Sequence, residues 1–442
     1  MESLLNAYFL FDRNVFFLVN KYNAFESYYQ VSRVGVYGKH YELIKYGIEC
    51  EKKRHKTSFI DLDTILKIVC ETGNVQTVQY LIDNGAKDWN AGLIGACLGG
   101  HMNLVELMTD KIKLANEHNL GNWNKALFFA CKGGDIKITK LMIGEGATEF
   151  NNGLDGACAG GHIELAKYMI TRCATIRPIT LYWACRSKSE ACVLFVMSLM
   201  RINQIITDHH VWIEALEGAC YKENENIIRI ILNEIKKFDF SDDNKKRINV
   251  FNHGMAGACR SRNLKLVKQM IDLGADDWSL GFENACSYEF NNFDVIDLMV
   301  QKGTTFTVND WKIGFYSTCE YAYRNKINYI LKIIDSQNCS ENQIKDILTE
   351  GFLGACHSKK VGAVDMMIQI AEKRQANLNF SSGFQSACKE GSVSVVQYLY
   401  PFVLKSHPSQ FLPDLLNICL SHAKFYRHSE IFNVIKSFQL IF

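Results

Sequence analysis

The sequence "GACLGGHMNLVELM" at Gly95–Met108 decides the fold, because the chain repeats it several times. A close copy, "GACAGGHIELAKYMI", occupies Gly156–Ile170, and shorter copies begin at Gly257 and Ser386. Self-similarity with a period of about 20–50 residues is typical of proteins that stack one small structural repeat many times. The recurring sequence therefore predicts an array of similar repeats.

Most of the cysteines mark the register of this repeat. Successive register cysteines are 27 residues apart in four places and further apart elsewhere, which indicates a basic repeat with connections of variable length. Each register cysteine is position 0 of its repeat, and other positions are counted from it. The register cysteines are Cys70, Cys97, Cys131, Cys158, Cys185, Cys220, Cys259, Cys286, Cys319, Cys356, Cys388 and Cys419.

Apolar residues recur at two sets of positions in each repeat. Positions −8, −4, −1 and 0 carry mostly an aromatic residue, a large apolar residue, alanine and the cysteine, which is the spacing of one helix face. Positions +7, +8, +11 and +12 form a second helical stripe, as in Leu266–Ile271. A glycine suited to the left-handed conformation often follows, as at Gly85 and Gly274. Each repeat is therefore predicted to be a helix, a tight turn, a second helix and a short return.

Composition limits the class of protein. A chain of 442 residues is too long for one ordinary core, unless the fold grows by repetition. Only four prolines are present, which suits a mostly helical chain. The net charge of +2 gives no overall basic excess, so we expect no nucleic acid partner. The chain has no long apolar run and no secretory leader, so we expect no membrane partner and an intracellular location with reduced thiols.

The second half of the repeat resembles the ankyrin repeat. The sequences "GNVQTVQYLIDNGA" at Gly73–Ala86 and "GHIELAKYMITRCA" at Gly161–Ala174 match the second helix and the end of that repeat. The Ala-Cys pair stands where the family usually has two alanines, whereas the Thr, Pro and His of its Thr-Pro-Leu-His motif are mostly absent. The segment corresponding to the family's β-hairpin is shortened. This variant is similar to the divergent ankyrin repeats of giant DNA viruses of the mimivirus type.

The resemblance implies an all-α fold. We expect an elongated solenoid of stacked helix-turn-helix, ankyrin-like repeats with reduced or absent β-hairpins. Residues 1–55 are predicted to form N-terminal capping helices and a partial repeat, residues 56–422 about twelve repeats, and residues 423–442 a C-terminal capping helix.

No motif in the sequence predicts catalysis, a cofactor or a metal. The CxxC and HExxH spacings of metal sites are missing, as are GxSxG, Walker and GxGxxG motifs, and the single CxxH, at Cys419 and His422, has no second ligand pair near it in the sequence. The adjacent His209 and His210 cannot share one helix face. We therefore expect a protein that is not an enzyme and has no small-molecule substrate.

The aromatic residues at position −8 are interpreted as structural, because they recur in phase with the buried stripe. Trp278 serves as the example, since the short connection before it leaves too few residues for a full hairpin. Its ring is expected to be buried against the preceding repeat.

The resemblance implies that the first helices bind the partner. Ankyrin arrays bind partners on their concave face, which is built from first helices and hairpins, and here the hairpins are shortened. Position +1 is predicted to be exposed and differs between repeats, as a recognition surface can. The candidate partner-binding residues at this position are Lys132, Arg186, Tyr221, Arg260, His357 and Lys389. Their cationic side chains favour an acidic or mixed partner surface.

The sequence thus leads to a non-enzymatic scaffold that binds a partner protein on the concave face of the array, in the cytoplasm of a host cell. The partner is unidentified, and a host protein is one candidate. Two alternatives stay open. One is a self-associating structural component of a virus particle, and the other is a substrate adaptor for host ubiquitin ligation.

Overall fold

The computed structural model of the chain describes residues 44, 45, 48, 49 and 62–439, apart from 115–120, 207, 241–242, 288–291, 304–305, 322–323, 338, 359, 407–411 and 427–428. This part contains 24 α-helices and no strand, so the predicted all-α class of stacked helical pairs is confirmed. The capping helices expected in residues 1–55 lie almost entirely outside the described residues. The division of the chain into caps and repeats stays a prediction.

Each repeat contributes a first helix, which carries an odd number, and a second helix, which carries an even number. The first helices are α1 (Leu62–Thr72), α3 (Trp89–Gly99), α5 (Trp123–Gly133), α7 (Phe150–Gly160), α9 (Pro178–Cys185), α11 (His210–Lys222), α13 (Asn244–Ser261), α15 (Trp278–Cys286), α17 (Val308–Tyr321), α19 (Glu341–His357), α21 (Phe380–Glu390) and α23 (Leu412–Phe425). The second helices are α2 (Val75–Asp83), α4 (Met102–Leu114), α6 (Ile136–Gly144), α8 (Ile163–Thr171), α10 (Glu190–Ile202), α12 (Glu225–Lys237), α14 (Leu264–Asp272), α16 (Phe293–Lys302), α18 (Arg324–Asp335), α20 (Val361–Lys373), α22 (Val393–Ser406) and α24 (Ser429–Gln439).

The helices belong to two compact units, an N-terminal unit that ends at Met142 and a C-terminal unit that begins at Ile143. Within the N-terminal unit, α1 packs against α3 and α3 against α5. Within the C-terminal unit, each first helix from α7 to α23 packs against the next one along the chain. Second helices lie against the first helix of their own repeat, as α8 does against α7. No helix in the described part of the chain is long and apolar enough to cross a membrane.

The predicted stripes form the core. All twelve register cysteines are fully buried, and so are the large residues at position −4, with Leu415 the most exposed of them at 3%. In most second helices, positions +7, +8 and +11 are buried, as at Leu266, Val267 and Met270, while position +12 is half-buried in some repeats, as at Ile271, and buried in others, as at Met197. The fifteen cysteines among the described residues are all free thiols.

Small residues let successive first helices approach backbone to backbone. Five repeats carry glycine at position −2. A Cβ atom built on Gly95 would lie 2.0 Å from the carbonyl oxygen of Lys67, and one on Gly257 would lie 2.3 Å from that of Glu217. Neither distance is possible between real atoms, so the close approach requires glycine. The alanine at −1 and the cysteine at 0 continue the same narrow contact.

Side chains at position −7 replace the missing hairpin. Asp63 Oδ1 accepts hydrogen bonds from the backbone N–H groups of Lys87 (2.8 Å) and Asp88 (2.9 Å) in the next connection. In the C-terminal unit, Asn252 Oδ1 accepts from Asp276 (2.7 Å) and Asp277 (3.0 Å) in the same way. The preceding repeat thus supplies acceptors for the backbone N–H groups of the connection, without any strand.

The turns between helices use the left-handed conformation. Gly274, predicted to close a second helix, has φ of 110°. Three residues after each of seven register cysteines the chain also has a positive φ, and glycine occupies that position in five of the seven. Glu223 and Arg262 are the exceptions, with φ of 55° and 68°.

The aromatic residues at position −8 follow two patterns. Trp212 is 1% exposed and packs edge-on against Phe238, and Trp311 is 3% exposed and packs against Phe282 and Phe306. Trp278 is itself the first residue of α15 and is half-buried. The expectation of a fully buried Trp278 ring is therefore wrong, because a side chain at the end of a helix has water on one side.

Removing the space at position −2 tests the packing of first helices. We expect Gly257→Ala to lower the free energy of unfolding by about 1–3 kcal/mol, because the new methyl group must displace the backbone of α11. The matched control is Gly362→Ala in α20, where a Cβ has no atom within 4 Å. That change should stabilise by up to about 1 kcal/mol, since alanine favours helix over glycine. Urea unfolding of both variants measures this, and equal effects would refute the backbone-contact account.

The buried thiols make stability sensitive to alkaline pH. Burial raises the pKa of Cys70 and Cys131 to about 12 and that of Cys286 to about 11, from an ordinary value of 9.0. The folded chain therefore keeps protons that the unfolded chain releases above pH 9. Each such thiol should lower the free energy of unfolding by about 1.4 kcal/mol per pH unit from there up to its folded pKa.

Urea unfolding at pH 7.5, 9 and 10 checks this dependence. Burial also raises the pKa of Cys356, whose place alanine can fill. Cys356→Ala should unfold much as the native chain does near neutral pH and lose less stability as the pH rises. A dependence on pH that is identical in the two chains would contradict the assignment to thiols.

Candidate binding groove

A groove of about 760 Å³ crosses the first helices of the C-terminal unit. Its lining residues belong to α11, α13, α15, α17 and α19, or directly follow a first helix, as Arg186 and Ser287 do. They lie mostly at positions −6, −3, −2 and +1, the part of the first helix that points away from the second helices. The groove thus occupies the face on which function was expected.

The groove lies at two repeats, those of α15 and α17, in which another residue replaces the glycine at position −2. Gly218, Gly257 and Gly354 bring α11, α13 and α19 onto the carbonyl groups of their preceding first helices. In the repeats between α13 and α19, this position holds Asn284 and Ser317, and both line the groove. These side chains fill the space that glycine leaves for the neighbouring backbone. They form a polar floor between α13 and α17.

Arg186 forms one end of the groove. Its Nη1 donates to the Tyr182 hydroxyl at 2.6 Å, and its guanidinium carbon lies 4.0 Å from the centre of the Tyr221 ring. A guanidinium over a tyrosine face is attracted by the electron density of the ring. Arg186 is thereby held along the face by one hydrogen bond and by contact with the Tyr221 ring.

Glu217 contacts two nitrogen-bearing side chains of the neighbouring repeat. Arg260 Nη1 donates to Glu217 Oε1 at 2.6 Å, and His253 Nδ1 lies 3.0 Å from Oε2. Burial alone would raise the pKa of Glu217, but the hydrogen bond from His253 and the charge of Arg260 outweigh burial and lower it. The three side chains join α11 to α13 through an ion pair and a hydrogen bond.

The other end of the groove has a similar contact with different residues. The Tyr316 hydroxyl lies 3.1 Å from His357 Nδ1, and His357 Nε2 is 3.6 Å from Glu320 and 3.4 Å from Glu390. Burial raises the pKa of Glu320, and it raises that of Tyr316 to about 12. This end contains acids and phenols around one imidazole.

Two carboxylates of the groove have no partner. Glu283 and Glu350 make no hydrogen bond or ion pair through their carboxylates with any residue that the structure describes. Burial raises the pKa of Glu283, and the nearby charge of Arg260 offsets this only in part. The remaining base of the lining, Lys312, lies 3.5 Å from Asp346. The groove therefore presents two unpaired carboxylates to a ligand, while Arg260 and Lys312 are paired with carboxylates of the protein and Arg186 contacts Tyr182 and Tyr221.

The structure brings together part of the predicted set. Arg186, Tyr221 and Arg260 line the groove and His357 lies at its margin. Lys132 belongs to α5 of the N-terminal unit, and Lys389 in α21 lies with its Nζ 5.8 Å from the centre of the Tyr426 ring. Whether any of the six binds a partner stays a prediction.

Sequence reasoning missed the acids and the floor. Glu217 and Glu283 stand at position −3, and Asn284 and Ser317 stand at −2. The available signal was the loss of glycine at −2 in two successive repeats, which marks a change in the packing of the helices.

Three potential metal ligands meet at one point among the described residues. One ligand atom from each of Asp208, His209 and His210 lies within 4.8 Å of the others, although the sequence argument had separated the two histidines. The Asp208 carboxylate is 2.9 Å from His209 Nδ1 and accepts from the backbone N–H of His210 at 3.1 Å. These contacts give the first backbone N–H of α11 an acceptor, so interactions at the start of that helix account for the cluster.

Comparisons with known proteins give little beyond the fold. No protein-family model matches the chain, and no curated protein matches it. Among solved structures, the chain is similar to the pentatricopeptide repeat protein PPR10 from maize, with a TM-score of 0.30 and 10% sequence identity over 99% of this chain and 72% of that one.

The exclusion of nucleic acid is wrong as a conclusion from the sequence. It rested on the net charge of the whole chain, which says nothing about the charge of one face.

The contacts of Glu217 predict that the free energy of unfolding falls at acidic pH. We expect Glu217→Gln to lower the free energy of unfolding by about 1–3 kcal/mol at pH 7, because Arg260 loses a charged partner. Folding lowers the pKa of this carboxyl below its ordinary 4.5, so its contribution is present above pH 4.5 and lost as the pH falls through the folded pKa. Urea unfolding from pH 7 to pH 3.5 should show the two chains converging. Glu283→Gln, which removes an unpartnered acid, is the control and should cost little.

Proposed function

We propose that the chain is a non-enzymatic repeat scaffold that binds a partner protein across the first helices of its C-terminal unit. The observation that carries this proposal is the groove, since it lies on the face and at the register positions that vary between repeats. Its lining contributes tyrosines and arginines, which are enriched among residues that dominate binding energy at protein interfaces. The acids, amides and hydroxyls beside them can fix the orientation of a bound segment.

The same proposal includes the finer assignment of the repeats to the divergent ankyrin type found in giant DNA viruses. The Ala-Cys pair, the second helix with its closing glycine and the shortened connection support it. The side chains at position −7 explain how a repeat of this type holds its neighbour without the family's hairpin. Buried free thiols suit an intracellular site of action, and we propose the cytoplasm of a host cell.

Site-specific crosslinking tests where the partner binds and what it is. A photo-crosslinking benzoylphenylalanine replaces Ile313 in the groove or, as the control, Leu194 on the second helix α10; these side chains are 40% and 50% exposed. After irradiation of cells that contain the full chain, we expect a discrete protein adduct from position 313 and none from position 194. Digestion by protease or ribonuclease identifies the adduct. An RNA adduct from position 313, or protein adducts that are alike from both positions, would contradict the proposal.

A further inference from the structure

We propose that the groove between α13 and α19 takes an arginine side chain of the partner protein. This inference rests on the proposed function and adds the chemistry of the residue that is recognised. It arises from comparing equivalent positions of successive repeats. At some junctions the residues at positions −3 and +1 contact each other, which we call a filled contact, and at another they do not, which we call an unfilled contact.

The filled copies pair position −3 of one repeat with position +1 of the next. Glu217 at −3 accepts from Arg260 at +1, with 2.6 Å between the atoms. Three repeats later, Tyr316 at −3 meets His357 at +1, at 3.1 Å. Each filled contact therefore joins an oxygen of one first helix to a nitrogen-bearing side chain of the next.

Two junctions lie between these contacts. The first has Ala256 at −3 and Ser287 at +1, which carry no charge. The second is the unfilled contact: Glu283 stands at −3 of the repeat of Cys286, and position +1 of the next repeat is Glu320, a second acid, where the neighbouring filled contacts have Arg260 and His357. Glu283 accordingly has no partner among the described residues, and Glu350 across the groove has none either.

The floor of the groove adds an independent sign of a missing ligand. Ser317 is only 7% exposed and lines the groove, yet its hydroxyl makes no hydrogen bond with any described residue. Beside it, Asn284 is 3% exposed and uses its Nδ2 to donate to the Leu280 carbonyl at 2.7 Å, which directs its acceptor elsewhere. Neither the Ser317 hydroxyl nor the Asn284 amide oxygen is sealed from the groove, so both are open to a ligand there.

A guanidinium matches this set of groups. It carries five N–H donors and no acceptor, and its planar fork suits carboxylates and flat aromatic faces together. The groove offers two carboxylates, a hydroxyl, an amide oxygen and the half-buried ring of Tyr316. The face already holds guanidinium groups in both ways, with Arg186 over the Tyr221 ring and Arg260 on Glu217. An ammonium group would satisfy the charge, but it lacks the planar face.

The test uses defined peptides and the full chain. The probe is a fluorescein-labelled peptide of sequence Gly-Arg-Ser-Gly-Arg-Ser-Gly-Arg-Ser, and its matched control carries citrulline, the neutral isostere, in place of arginine. Fluorescence anisotropy at 50 mM salt should show the arginine peptide binding at least about tenfold more tightly, since hydrogen bonds between charged groups are about twice as strong as neutral ones. Glutamate in place of arginine should abolish binding.

Three variants connect the preference to the groove. Glu283→Gln combined with Glu350→Gln should reduce the preference for arginine to about threefold or less. Asp272→Asn combined with Glu372→Gln makes the same charge change on exposed residues of second helices and should leave the preference intact. Glu320→Arg places a cation at position +1, where it can pair with Glu283. It should therefore also weaken binding of the arginine peptide.

Several results would overturn the inference. Equal affinities for the arginine and citrulline peptides would do so, as would a preference that survives the groove double variant. Tighter binding of a labelled twelve-residue oligouridine that the groove variants weaken would assign the groove to RNA. A protein adduct from position 313 together with no arginine preference would leave the scaffold function standing and remove only this assignment.

Discussion

The close approach of successive first helices is the constraint on which the rest of the structure depends. At Gly95 and Gly257 the backbone of one helix lies against a carbonyl oxygen of the previous one, with no room for even a methyl group. Positions −1 and 0 must then be small and apolar as well, which explains why alanine and cysteine recur there. The second helices and the connections can vary in length because they lie outside this contact, and the intervals between register cysteines vary accordingly.

The side chains at position −7 link adjacent repeats by hydrogen bonds, as a pair of strands would. In Asp63 and Asn252, one oxygen accepts from two consecutive backbone N–H groups of the next connection, which ties adjacent repeats together at the start of their first helices. The glycine contact and this hydrogen bond lie at opposite ends of the first helix. Together they fix both the distance and the rotation between neighbours, and that fixed rotation is what brings position −3 of one repeat to position +1 of the next.

The sequence alone predicted what depends on periodicity. The helical pairs, the buried cysteines and the apolar residues at −4, +7, +8 and +11 follow from spacing within a single repeat, and they were correct. The site was predicted only in part, because Arg186, Tyr221 and Arg260 reach the groove through the alignment of different repeats. That alignment depends on distances between helices. The acids Glu217 and Glu283 were missed for the same reason, since charge at −3 has meaning only beside the residue that faces it.

Because the −3 and +1 contacts join neighbouring repeats, what this face recognises depends on pairs of adjacent repeats and not on single repeats. Deleting the repeat that carries Glu283 would place Ala256, at −3 of the preceding repeat, opposite Glu320 and would erase the unfilled contact without altering either surviving helix. Duplicating a repeat would create one new junction and keep the old ones. Recombination between such similar sequences can therefore change what the surface recognises in a single genetic event, before any point mutation has occurred.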